Sequence, residues 1–178
     1  MNGIASLLDQ TAVSRVEQLW QELEAHCGLV GVKATPFPHF TWQVTEAYDL
    51  PRLETVLHAL ARQTQPFTIH TSGLGLFTSE NPIVYISIVK DEPLMHFHSM
   101  LWDHLKGIAI HPMLYYTPGQ WVPHITLAYQ DVTSANLDCV MQGLAFQVFN
   151  WEILVNNLIL VARTEDHYIE TVRYPFGL

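Results

Sequence analysis

Cations are scarce in this sequence. Its 178 residues hold eight Lys and Arg against 17 Asp and Glu, a formal charge of −9, and only Lys33, Lys90 and Lys106 are lysines. An extended grip on duplex DNA or long RNA needs many cationic contacts to phosphate, so neither is expected. A short nucleic-acid end or a single nucleotide stays open. Cysteine is also sparse. Cys27 and Cys139 are too few for a disulfide scaffold or a cysteine zinc site, and they read as two small buried or half-buried thiols. Long apolar runs are missing. The start, Met1-Asn2-Gly3-Ile4, has no basic region and reaches Asp9 before any such run, and Trp151 to Ala162 is broken by Glu152, Asn156 and Asn157. The expectation is a cytoplasmic monomer with no membrane partner. Charged residues make up only 14% and hydrophobic ones 49%, which excludes a disordered chain. Residues 1–178 suit one domain built of two similar lobes.

What the sequence does contain is a duplication. Pro38-His39-Phe40-Thr41-Trp42 recurs as Pro123-His124-Ile125-Thr126-Leu127, with the histidines 85 positions apart. The surroundings repeat too. Val13, Val16, Trp20 and Leu23 predict an amphipathic helix that stops near Gly28. Leu94, Phe97, Leu101 and Leu105 predict another, opened by Asp91-Glu92-Pro93 and ended near Gly107. After the first motif Asp49 caps a helix with Pro51 in its first turn and Leu53, Val56, Leu57 and Leu60 on one face. Strands follow at Phe67 to Ile69 and Ile83 to Val89. After the second motif a helix is predicted near 135–144, then strands near 146–161 and 167–172. A short strand at Gly3 to Leu8 precedes the first unit, and residues 105–120, with Pro112, Pro118 and Gly119, read as the linker.

Side chains alternate along a strand. In the first motif region, 38–44, His39, Thr41 and Gln43 then share one face; in the second, 123–129, His124 and Thr126 do. Two imidazoles meeting across a cleft suit paired acid–base chemistry, because an ordinary pKa near ~6.5 lets one be neutral and one charged. Two hydroxyls beside them suit the non-bridging oxygens of a phosphodiester. One histidine would take a proton from water or a ribose hydroxyl and the other protonate the leaving oxygen, without a metal.

Ten histidines nevertheless raise the question of one. His96, His98, His104 and then His111 form the densest set. At about 100° per residue His98 stands roughly 200° from His96 and His104 roughly 80°, so they point apart and read as a polar helix face. No spacing matches a zinc motif, and no metal or cofactor is expected. Two alternatives remain: a metal-dependent phosphoesterase, marked by chelator sensitivity, and a non-catalytic module that holds a nucleotide or phosphate without turnover.

The two His-x-Thr motifs, together with the run Pro-His-Ile-Thr-Leu-Ala-Tyr at 123–129 and Gly73-Leu-Gly-Leu-Phe77, resemble the two-histidine (2H) phosphoesterase superfamily. That superfamily includes 2′-5′ RNA ligase-like proteins and cyclic nucleotide phosphodiesterases. The resemblance spans essentially the whole chain. It implies a bilobal α+β fold, with two antiparallel sheets and outer helices related by a pseudo-twofold around a central cleft. It also implies metal-independent hydrolysis at 2′,3′-cyclic phosphates or 2′-5′ linkages of a nucleotide or short RNA end. His39 and His124 would be the catalytic pair and Thr41 and Thr126 the phosphate holders. Neither motif is followed by Arg or Lys; Lys33 and Arg163 are the nearest cations and read as solvated surface. Gln43, Tyr85 and Tyr115 are candidate substrate contacts, and Trp121 has the parity of the back face.

Overall fold

A computed structural model describes residues 1–165 and 167–177. In chain order its elements are β1 (Asn2–Leu7), α1 (Gln10–Cys27), β2 (His39–Tyr48), α2 (Leu50–Gln63), β3 (Phe67–Phe77), β4 (Ile83–Ile88), α3 (Glu92–His104), β5 (Ala109–Pro112), β6 (His124–Ala128), α4 (Leu137–Leu144), β7 (Glu152–Val155), β8 (Asn157–Arg163) and β9 (Tyr168–Pro175). Three helices open on an aspartate. The carboxylates of Asp9, Asp49 and Asp91 accept from the backbone N–H three residues on, at 2.9, 3.4 and 3.1 Å. Each such cap stabilises its helix by about 1 kcal/mol. The apolar stripes then decide which face turns inward: Val16, Leu19 and Leu23 on α1, Leu53, Leu57 and Leu60 on α2, Leu94, Phe97 and Leu101 on α3 are all buried.

The strands form two antiparallel sheets, ordered β5-β2-β1-β8-β9 and β6-β4-β3-β7. The repeat is therefore β-α-β-α-β, run once as β1-α1-β2-α2-β3 and again as β4-α3-β6-α4-β8. In each run the first two strands pair with each other and the last crosses to the other sheet: β3 pairs with β4, and β8 with β1. The sequence reading placed β3 and β4 together in the first half; β4 instead opens the second. The predicted linker carries a strand of its own, β5, added to the edge of β2 through Thr45↔Pro112 and Ala47↔Ile110. Gly73–Phe77 lies inside β3.

The main core joins all four helices and both sheets, with Val16, Leu57, Leu101 and Val140 packed around Trp42 and Ile86. The opposite face of the first sheet carries a smaller apolar cluster of Ala5, Ile159 and Val161.

Two expectations are overturned here. Cys27 and Cys139 are not thiols but a disulfide joining the end of α1 to α4. The helix ends bring together two residues that are far apart in sequence, and sequence spacing alone carries no trace of that. His98 is not on a polar helix face. It is 1% exposed and its ring stacks on Trp121 at 3.8 Å.

Candidate active site

The first motif is shaped by a β-bulge. Thr41 pairs with Ala5 but Gln43 with Ile4, so Trp42 has no partner on β1. An extra residue of this kind shifts the alternation of everything after it. His39 and Thr41 face the cleft; Gln43 turns into the core, 2% exposed, where its side-chain oxygen accepts from the Tyr48 hydroxyl at 3.1 Å. Val44 takes the cleft face in its place.

A bulge leaves backbone carbonyls without ladder partners, and buried carbonyls need them. Aromatic N–H groups supply them. The Trp121 indole donates to Thr41 O at 2.9 Å, and His98 Nε2–H donates to Trp42 O at 3.1 Å. Burial drives the His98 pKa down to about 4, against the smaller pull of its backbone hydrogen bonds, so the ring serves as a neutral prop. The second motif is held in the same way from the other side: Trp20, on α1, donates to Thr126 O at 3.1 Å. Each motif threonine thus hangs on an indole.

The histidines match as well. His39 Nδ1–H donates to Phe37 O at 2.9 Å and His124 Nδ1–H to Val122 O at 2.7 Å. Proline at the intervening position, Pro38 or Pro123, fixes the turn that brings that carbonyl back. With Nδ1 committed as donor, Nε2 of each ring is left for chemistry. Burial lowers both pKa values, opposed by these hydrogen bonds; the charge of His124 lowers that of His39 further.

His124 is also propped from behind. Its ring lies 5.0 Å from Phe77, edge-on, and 5.1 Å from Tyr85, while Tyr85 and Phe77 pack at 4.3 Å. Tyr85 crosses β3 at Gly75, where a Cβ would stand 2.3 Å from the phenol ring. Only glycine allows that crossing.

His39, Thr41, His124 and Thr126 line a single cleft of about 300 Å³. The rest of its lining mixes apolar Val44 and Val161, the phenols Tyr116, Tyr129 and Tyr168, and the polar Asn2 and Thr35 beside Met1. Among the described residues no group of three or more His, Cys, Asp or Glu is gathered to hold a metal ion.

Residues 10–167 match the sequence profile of the 2′-5′ RNA ligase superfamily. The chain belongs to this superfamily. A Bacillus mycoides protein named "Putative phosphoesterase" is 26% identical over 132 residues, covering 72% of either chain. The fold is that of a Thermus thermophilus protein, TT0787 (TM-score 0.67, 19% identity, 99% and 97% of the two chains covered). It is also that of Escherichia coli LigT, solved with 3′-AMP (TM-score 0.58, 17% identity, 99% and 98% covered). The chain is thus a phosphoesterase of the 2′-5′ RNA ligase superfamily, and the bilobal α+β expectation holds.

Of the residues singled out from sequence in this superfamily member, the two histidines and two threonines come together. Tyr85 does not line the cleft but supports His124. Tyr115 is 77% exposed and its neighbour Tyr116 lines the cleft instead, because a short 3-10 turn over Leu114–Tyr116 rotates the pair. Trp121 is buried, as its parity indicated. Sequence reasoning missed Tyr129, Tyr168 and the indole of Trp20; the last sits on a helix stripe that reads as core.

Proposed function

We propose that the protein is a metal-independent phosphodiesterase acting on the 2′,3′-cyclic phosphate or 2′-5′ linkage of a small nucleotide or short RNA end. One observation carries this: two imidazoles from strands of different sheets, each with Nδ1 committed to a carbonyl, line one cleft beside two threonine hydroxyls. That LigT, a fold neighbour, was solved with 3′-AMP points to a nucleotide.

The neutral imidazole takes a proton at Nε2 from water, and the water oxygen bonds to phosphorus. The P–O bond to the ribose opposite breaks, and the second imidazolium gives its Nε2 proton to the departing oxygen. Thr41 and Thr126 donate hydrogen bonds to the non-bridging oxygens, which gain charge in the transition state. The bound diester, itself an anion, raises the pKa of the imidazole that acts as acid and offsets the lowering that burial imposes. Reversal exchanges the two roles.

The test is a panel of 2′,3′-cyclic nucleotides and 2′-5′-linked dinucleotides incubated with excess EDTA and resolved by chromatography. Turnover that is lost in His124→Ala is expected. Activity that requires added metal would overturn the mechanism, and binding without turnover would leave a ligand-holding module.

A further inference from the structure

The two motif strands share an irregularity. On β6 Thr126 pairs with Tyr85 but Ala128 with Val84, so Leu127, like Trp42 on β2, has no partner. Each motif therefore reads His, one residue, Thr, then a bulge. The threonine carbonyl at each bulge takes its hydrogen bond from an indole, 3.1 Å from Trp20 for Thr126 and 2.9 Å from Trp121 for Thr41. The two indoles are not equivalent positions of the repeat. Trp20 lies within α1, whereas Trp121 stands in the loop before β6. Each also comes from the opposite run: α1 belongs to the first and braces the second motif, and Trp121, leading into β6, braces the first. Copying one unit does not produce this pair of bonds; two unrelated residues meet the same need.

Both donors are themselves held. Trp121 is 1% exposed and stacks on His98 at 3.8 Å and on Trp42 at 5.3 Å. Trp20 packs against the main core and reaches the lining of the cleft. A bulge is where a strand can re-aim its side chains, and a buried carbonyl deprived of its donor shifts to find another. The pinned carbonyl carbon is bonded to the Cα that carries the threonine hydroxyl. Resting on the phosphodiesterase reading above, we infer that Trp20 and Trp121 are positioning residues: each indole N–H fixes one bulge, and with it the hydroxyl that meets one non-bridging oxygen, so that the two halves brace each other across the phosphate.

The experiment uses the two diastereomers of adenosine 2′,3′-cyclic phosphorothioate, in which sulfur, a weak hydrogen-bond acceptor, replaces one or the other non-bridging oxygen. Both are offered in one mixture, and the ratio of their kcat/KM values is read from product formation. That ratio does not depend on how much of a variant is folded. Trp20→Phe and Trp121→Phe delete the N–H and keep an aromatic ring. Each should lower kcat/KM for the unmodified cyclic phosphate by about tenfold, since small misplacements of a reacting group are costly. The ratio should shift by about threefold or more, and in opposite directions in the two variants, because the isomer whose sulfur faces the misplaced threonine has nothing further to lose. A merely structural role would slow both isomers alike. Trp151→Phe, which removes an indole bond to Val148 O outside the cleft at 3.0 Å, should leave the ratio unchanged. A ratio unchanged in Trp20→Phe or in Trp121→Phe, shifted the same way in both, or shifted equally by Trp151→Phe would overturn the inference and leave the phosphodiesterase reading standing. If Trp121→Phe does not fold, Trp20→Phe must shift the ratio in the same direction as Thr126→Val, and the opposite shift would overturn the inference. If wild type turns over neither isomer nor the cyclic phosphate, the phosphodiesterase reading falls, and calorimetric Kd values of the two isomers take the place of kcat/KM. Opposite shifts would then uphold the bracing for a ligand-holding cleft, and an unchanged ratio, or no binding, would end it.

Discussion

Reducing the Cys27–Cys139 disulfide should unfold this protein at a markedly lower temperature. The bond spans 112 positions, so in the unfolded chain it closes a loop over most of the sequence. The chain-entropy relation for such a loop gives about 5 kcal/mol of stabilisation at 25 °C. For a domain of this size each kcal/mol moves Tm by roughly 2–4 °C, so the expected drop is about 10–20 °C. The assay is calorimetry on oxidised protein, on protein held in excess reductant, and on Cys27→Ser/Cys139→Ser. Thiol counting and mass spectrometry confirm the redox state of each sample. The reduced wild type and the double variant should melt together. A shift under about 2 °C in both would refute the reasoning, since it would mean that α1 and α4 are held together as firmly by packing alone.

Further outcomes concern the site. His39→Ala and His124→Ala should each lower the rate by about 10²–10⁴-fold, and the double variant should lose far less than the product of the two, because both act in one step. Since burial lowers both imidazole pKa values, the charged acid of the free enzyme fades as pH rises through a value below about 6.5. A bell in kcat/KM with its maximum on the acid side of that value is expected, and a flat profile from pH 5 to 8 would remove the pair from the mechanism. His98 makes a separate contribution. Its folded pKa of about 4 lies below its unfolded value, so the neutral ring is stabilising above pH 6.5. That stability is lost as pH falls from 6.5 towards 4, by up to about 3 kcal/mol. Denaturant melts of wild type and His98→Gln across that range would show a shallower loss in the variant. Gly75→Ala should displace Tyr85, cost about 1–3 kcal/mol and lower kcat through the unsupported His124 ring; unchanged kcat would detach Tyr85 from the site.

Much of this site was legible in the residues, and the rest was hidden for definable reasons. The repeated His-x-Thr, the aspartate caps and the helix stripes are local signals, and the elements they predict are present. Gln43 was misplaced because strict alternation fails at one unpaired residue, Trp42, and a bulge leaves no mark in composition. His98 was misplaced because periodicity says which residues share a face but not that a histidine will be drawn inward to satisfy a carbonyl. Tyr116 and Tyr115 exchanged places through a single short turn. The disulfide and the crossing of β3 and β8 depend on how distant segments meet, which no window along the chain contains.

That crossing bears on how the molecule moves. Each motif strand is laddered to a strand that is itself laddered to a segment from the other run, β2 through β1 to β8 and β6 through β4 to β3. No ladder joins the two walls, but the chain passes between the two sheets four times and one apolar core is shared by both, so they are not joined by one flexible strap. A hinge would have to part that core to open the cleft. Substrate therefore enters an aperture of fixed width, and the protein is a vice with welded jaws: size exclusion is set at folding, and crystals soaked with a product nucleotide should show the same gap between β2 and β6 as crystals without it.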